Sequence, residues 1–207
     1  MGEHGLISIT EAYGTDNAQT FEVHWEGDRP VRVTLPDGRT VGDGGAGLLL
    51  AESKRVCSSE FMESYADYDN YNGPAAWAII GGSLQEAYGY GNSCAARLSC
   101  ALNGSGHSIP YVPDASNRNI GGDHDGVRFI ISARQLRRYV RQVWGAPDSS
   151  FTNSANPFSQ LRPGQVAIIL SDSHAAALQE FGGSANSRYT DPHVETFGGD
   201  VYILDDC

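Results

Sequence analysis

Gly91-Asn92-Ser93-Cys94-Ala95-Ala96-Arg97-Leu98-Ser99-Cys100-Ala101-Leu102-Asn103-Gly104 sets a cysteine at the first turn of a short amphipathic helix. Gly91 gives a flexible approach, and Asn92 and Ser93 are both residue types that cap helix starts. Ala95, Leu98, Ala101 and Leu102 recur at the helical period, so one face of the helix must be covered by the rest of the fold. Asn103-Gly104 reads as the stop. A thiol placed there meets unpaired N–H groups and the positive end of the helix dipole. Both favour the thiolate, and the same N–H groups can receive a developing oxyanion. The competing reading is a half-buried structural cysteine, because free cysteine is among the most buried residue types.

The 207 residues suffice for one domain of ordinary size with a small appendage, and the 25 glycines suggest a loop-rich globular protein. With 14 basic against 25 acidic residues the net charge is −11. That argues against binding through nucleic-acid phosphates and disfavours adhesion to anionic membranes. No apolar run reaches the length of a membrane span. Met1-Gly2-Glu3-His4-Gly5-Leu6 lacks the basic and apolar regions of a signal peptide, so export is expected by a route that reads none.

Four cysteines are too few for a disulfide scaffold and have no zinc-site spacing. Cys94 and Cys100 point to different faces of one helix and do not pair with each other. Cys57 and Cys207 lie near the two ends of the main domain. Spacing leaves open whether they pair with each other or one of them with Cys100. A disulfide implies an oxidising working compartment.

The first sixty or so residues read differently from the rest. Phe21, Val23 and Trp25 alternate, as do Val31, Val33 and Leu35, and Pro36-Asp37-Gly38 is a turn signal. These predict a small β-meander from about 20 to 41, then a Gly-rich loop over 42–47 and a short apolar stretch from Leu48 to Lys54. The stretch from Phe61 to Asn72 is acidic and tyrosine-rich, and residues 103–126 read as loop. Val127 to Ile131 reads as a strand, followed by a helix capped by Ser132 with Leu136, Tyr139, Val140 and Val143 as its apolar stripe. Arg134, Arg137, Arg138 and Arg141 flank that stripe as a basic, mainly solvated face. Residues 146–163 read as loop. Val166–Leu170, Ala175–Phe181 and Val201–Leu204 read as strands.

A cysteine nucleophile needs an imidazole to take its proton and return it to the leaving amine, and a third group to orient that imidazole. Of six histidines, His4 and His24 fall in the N-terminal segment, His107 in a Gly/Ser loop, His124 between Asp123 and Asp125, and His193 after a proline. His174 follows one strand and enters another, a rigid setting that suits a catalytic base. Gly42-x-Gly44-x-x-Gly47 matches the dinucleotide fingerprint only as a string, since the strands before it look antiparallel. Asp67-Tyr68-Asp69-Asn70-Tyr71-Asn72-Gly73 resembles a calcium loop but has Ala78 where the closing glutamate belongs. His174 and His193 are too far apart for a helix-borne zinc motif. No metal or organic cofactor is expected.

The run Asn92 to Ser99 with Ala101-Leu102-Asn103 and Gly106 resembles the nucleophile motif of the type VI secretion amidase effectors, fourth family, which are bacterial cell-wall toxins. The resemblance continues in order through Ile79-Ile80-Gly81-Gly82, Ile109-Pro110, Phe129-Ile130-Ile131 with Leu136 and Tyr139, and Val166–Leu170 with His174. It covers roughly residues 61–207. It implies an α+β, papain-like cysteine hydrolase in which the nucleophile helix packs on an antiparallel sheet. It also implies cleavage of the peptidoglycan stem between D-glutamate and meso-diaminopimelate. Carried over, Cys94 is the nucleophile and His174 the general base and acid. The third position, three before Tyr189, is Asn186 where the family has aspartate, and Asp191 is the alternative. Ala175-Ala176-Ala177-Leu178-Gln179 departs from the family's aliphatic residue and Leu-Trp. The organisation expected is a β-rich extension over residues 1–58 and the amidase domain over 59–207. A cognate immunity protein is the expected partner, and the periplasm or wall of a target bacterium the place of action. The rival readings are a papain-like protease acting on proteins and a degenerate module that only binds cell wall.

Overall fold

A computed structural model describes residues 4–8, 20–26, 29–34, 40–41, 54–151, 161–179 and 198–207. The chain divides into two compact units, Met1–Ala51 and Glu52–Cys207.

The first unit is an antiparallel meander of β1 (His4–Ser8), β2 (Thr20–Glu26), β3 (Arg29–Thr34) and β4 (Thr40–Val41), paired in chain order. Val23 pairs with Val33, and the register slips between His24 and Trp25, where Pro30 stands opposite. A proline has no N–H to give a ladder, so the irregularity falls where the pairing is weakest. The predicted meander is thus present, with β1 as a further strand. The Gly42–Gly47 loop and Leu48 to Ser53 lie outside the described residues.

The second unit sets helices on an antiparallel sheet. Its helices are α1 (Ser58–Ser64), α2 (Gly73–Ile80), α3 (Gly82–Tyr88), α4 (Cys94–Gly104) and α5 (Ala133–Trp144). The strands β7 (Ser149–Phe151), β8 (Val166–Leu170), β9 (Ala175–Gln179) and β10 (Gly199–Ile203) form one sheet in the order β7-β10-β8-β9. A small ladder joins β5 (Ser116–Arg118) to β6 (Arg128–Ile130). Strands β5 and β7 fall in stretches that read as loop, because three residues are too short to show alternation.

Every residue of β8 is buried, so both sheet faces are covered. Ala167, Ile169, Ala176, Leu178 and Val201 cluster with Leu161 on one face. The alternate residues carry the helices: α4 packs on β9, α5 packs on β8, and the Trp144 ring meets that of Tyr202 at 6.0 Å. The small side chains of Ala175 and Ala177 suit close approach of α4. All of residues 94–102 are buried, and Ser99 ties α4 to β6 by donating to the Ile130 carbonyl at 2.8 Å and accepting its N–H at 3.1 Å. Gly104 is needed where α4 passes α1, since a Cβ there would fall 2.3 Å from the Ser64 hydroxyl.

The basic face of α5 is largely solvated as expected, with Arg134, Arg138 and Arg141 exposed, but Arg137 and Arg141 also hold a buried carboxylate. Asp200 of β10 is 1% exposed and accepts from Arg137 Nε at 2.7 Å, Arg141 Nε at 2.8 Å and the Ser150 hydroxyl at 3.1 Å. Burial pushes the Asp200 carboxyl up, but the two guanidinium groups outweigh it and hold the group below its ordinary value. A buried carboxylate has to be paired, and Asp200 lies too far along the chain for its partners to be read locally.

Cys57 and Cys207 form a disulfide with 5.8 Å between their Cα atoms, and Cys94 and Cys100 are free and buried. A bond across a separation of 150 residues removes much freedom from the unfolded chain, a stabilisation of about 2–5 kcal/mol. Backbone bonds from Ser58 N–H to the Asp205 carbonyl (2.9 Å) and from Asp205 N–H to the Val56 carbonyl (3.3 Å) accompany it.

Candidate active site

Cys94 opens α4 and is 3% exposed. Its N–H donates to Asn92 Oδ1 at 3.0 Å. Ser93 holds the N-cap position, yet its side chain caps nothing, because its Oγ accepts from Arg97 Nε at 2.9 Å. Arg97 is wholly buried. Its other nitrogens donate to the carbonyls of Ala66, Asp67 (3.1 Å) and Tyr71 (2.7 Å), and its guanidinium lies 3.9 Å from the Tyr68 ring centroid. The planar fork fits several carbonyls at once. In this way one arginine fastens the tyrosine-rich stretch to the first turn of the helix that bears Cys94. No local pattern announces this role, since a buried arginine looks in sequence like any charged residue on a helix.

His174 closes the β8–β9 hairpin and is 7% exposed. Ser171 and His174 are paired across the turn. Ser171 N–H donates to the His174 carbonyl at 2.9 Å, and Ser171 Oγ accepts the His174 N–H at 2.9 Å. Asp172 at the tip pairs with Arg137 at 3.0 Å, which joins the hairpin to α5. The backbone that presents the imidazole is therefore held from two sides. Because α4 packs on β9, the helix that begins with Cys94 lies against the strand that begins just after His174. Asn186, Asp191 and His193 lie outside the described residues.

The other candidates have different surroundings. His107 Nε2 is 2.8 Å from the Tyr139 hydroxyl, and its ring meets the Trp144 ring edge-on. Burial lowers the His107 pKa and pushes the Tyr139 phenol up to about 12. His124 Nε2 is 3.9 Å from Cys100 Sγ. His4 pairs with His24 across β1 and β2. Asp67 Oδ1 accepts from the N–H groups of Asp69 and Asn70, both at 2.9 Å, which makes it a local turn. Among the described residues no group of three or more His, Cys, Asp or Glu side chains is arranged to hold a metal ion.

Solved structures share the fold at low identity. The effector Tae4 from Salmonella typhimurium, in complex with the immunity protein Tai4 from Enterobacter cloacae, superposes with a TM-score of 0.52 at 21% identity, over 73% of this chain and 100% of that one. The Tae4–Tai4 complex from Salmonella Typhimurium gives a TM-score of 0.54 at 19% identity, over 73% of this chain and 100% of that one. The Tae4–Tai4 complex from Enterobacter cloacae gives 0.53 at 17%, over 74% and 99%. No curated protein matches the chain. The family model for type VI secretion system amidase effector protein 4, Tae4, matches residues 90–200, more than half of the chain and a span that includes Cys94 and His174. By that match the chain belongs to the Tae4 family of type VI secretion amidase effectors.

Proposed function

We propose that the chain is a cysteine-dependent peptidoglycan amidase of papain-like design that cleaves the D-glutamyl–meso-diaminopimelate bond of the peptide stem. Residues 59–207 are the amidase domain and residues 1–58 a β-rich extension. The observation that carries the proposal is the pairing of elements: a thiol at the start of α4 and an imidazole immediately before β9, a helix and a strand packed together within the family match. His174 takes the thiol proton of Cys94, and the thiolate attacks the stem carbonyl. His174 then protonates the leaving amine, and water hydrolyses the acyl-enzyme with His174 as base. Asn186 orients the imidazole through its amide oxygen, with Asp191 as the alternative.

The Cys57–Cys207 bond suits an oxidising compartment such as the periplasm of a target cell. No described helix is long and apolar enough to cross a membrane. The net charge of −11 suits an immunity partner that presents a basic face.

Mass spectrometry of muropeptides from diaminopimelate-type sacculi tests the reading. The wild-type chain should release stems cut after D-glutamate, and Cys94→Ala should release none. Undiminished digestion by Cys94→Ala removes the thiol from the mechanism. Cleavage of proteins without cleavage of sacculi would favour the protease reading, and binding to sacculi without cleavage the wall-binding one. Asn186→Ala should lower turnover more than Asp191→Ala, and the reverse order moves the orienting role to Asp191.

A further inference from the structure

The thiol and the imidazole come on different elements, so their spacing depends on what holds β9 against α4. The Ser171 turn fixes the His174 backbone only within its own hairpin. Ala175 and Ala177 give the packed helix little relief to lock into. One buried segment touches both elements. Tyr65 is 4% exposed, and its hydroxyl accepts the Ala177 N–H of β9 at 3.4 Å. β9 is the last strand of its sheet and Ala177 is 0% exposed, so among the described residues neither a strand nor water meets that N–H in place of the phenol. The next residue reaches the helix. The Ala66 carbonyl accepts from Arg97 of α4, and the Asp67 carbonyl accepts from the same nitrogen at 3.1 Å. Arg97 Nε in turn donates to Ser93 Oγ, beside Cys94, at 2.9 Å.

Tyr65 and Ala66 thus join strand to helix across two consecutive residues. The Tyr65 ring is itself held, stacked on Phe61 of α1 with 5.8 Å between centroids, and α1 packs on α4. We propose that Tyr65 is a positioning residue for the hydrolysis, holding β9 against α4 so that the His174 imidazole stays within reach of the Cys94 thiol. This rests on Cys94 and His174 being the catalytic pair. In this role Tyr65 acts through Ala177, three residues past His174, and through the backbone that Arg97 grips. Attack on the stem carbonyl and proton transfer to the leaving amine demand near-contact geometry. A shift of about 1 Å between helix and strand therefore costs rate even where substrate binding is intact.

Tyr65→Phe removes the hydroxyl and keeps the ring, so the chain should still fold, with a melting temperature lower by no more than about 5 °C. Its kcat on diaminopimelate-type muropeptides should fall about 10-fold, with KM within about twofold of wild type. Alkylation of Cys94, read by peptide mass mapping, shows whether the effect runs through His174. Near pH 7 iodoacetamide should label Cys94 about threefold or more slowly in Tyr65→Phe, because the imidazole that takes the thiol proton is displaced. In His174→Ala no imidazole remains to be misplaced, so adding Tyr65→Phe should change the labelling rate by less than about 1.5-fold. Wild-type kcat in Tyr65→Phe would overturn the proposal. So would an equal slowing of alkylation with and without His174, which would make Tyr65 a prop for the fold alone. Full hydrolysis by Cys94→Ala or His174→Ala would remove the reading beneath it, and both variants keep Tyr65, so the two failures are distinguishable.

Discussion

Two buried thiols lie six residues apart on α4, and one of them, Cys100, has an imidazole beside it. Cys100 sits in a core cluster with Trp77, Ile80, Leu84, Ala96 and Phe129, its sulfur 3.9 Å from His124 Nε2. Burial pushes its thiol up to about 11. Mid-helix, it has no unpaired N–H groups ahead of it. Cys94 begins the same helix, with the polar pair Asn92 and Ser93 before it, a buried guanidinium one turn on and a sheet strand against its helix. A neighbouring imidazole therefore does not make a thiol a nucleophile. The charge must also have somewhere to go, and the base must come on a rigid element.

Exchanging the two thiols tests this contrast most severely. Cys94→Ala should lose wall hydrolysis by about a thousandfold or more, while Cys100→Ala should hydrolyse at the wild-type rate. Loss of activity in the second variant alone would reverse the assignment. The histidines follow. His174→Ala should slow turnover by about 10²–10⁴, and His124→Ala should leave it unchanged, both read from initial rates on muropeptides. Labelling gives a milder contrast. At pH 8 a thiol at about 11 is a thiolate in about one molecule in a thousand, so iodoacetamide should reach Cys94 well before Cys100, as read by peptide mass mapping. Equal rates would erase the distinction.

The smallest effect concerns His107, whose Nε2 faces the Tyr139 hydroxyl. Burial holds its folded pKa below the usual imidazole value of about 6.5. Between the two values the unfolded chain binds more protons, so this stabilisation is complete above about pH 6.5 and declines as pH falls through the folded value. Thermal denaturation from pH 7.5 to 5 should show that decline, and His107→Phe should flatten it.

Periodic elements were legible and aperiodic ones were not. Leu136, Tyr139, Val140 and Val143 are all buried on α5, as an apolar stripe requires. Helices α1 to α3 have no such stripe. The start of α2 carries a readable signal, since Asn72 Oδ1 accepts the Ala75 N–H at 2.9 Å and Pro74 follows. Of the candidate site, Cys94 and His174 stood out because their types and settings carry chemistry. Arg97 did not, because its role depends on partners that only the folded chain supplies. The ion pairs of Asp200 join residues about sixty positions apart, beyond the reach of any local pattern.

The pairing of Cys57 with Cys207 brings the two ends of the larger unit to one spot on its surface. The strand-like contact of Val56 and Ser58 with Asp205 does the same through the backbone. Residues 57 and 207 thus stand side by side, and a circular permutant of the larger unit joined there would need only a short splice.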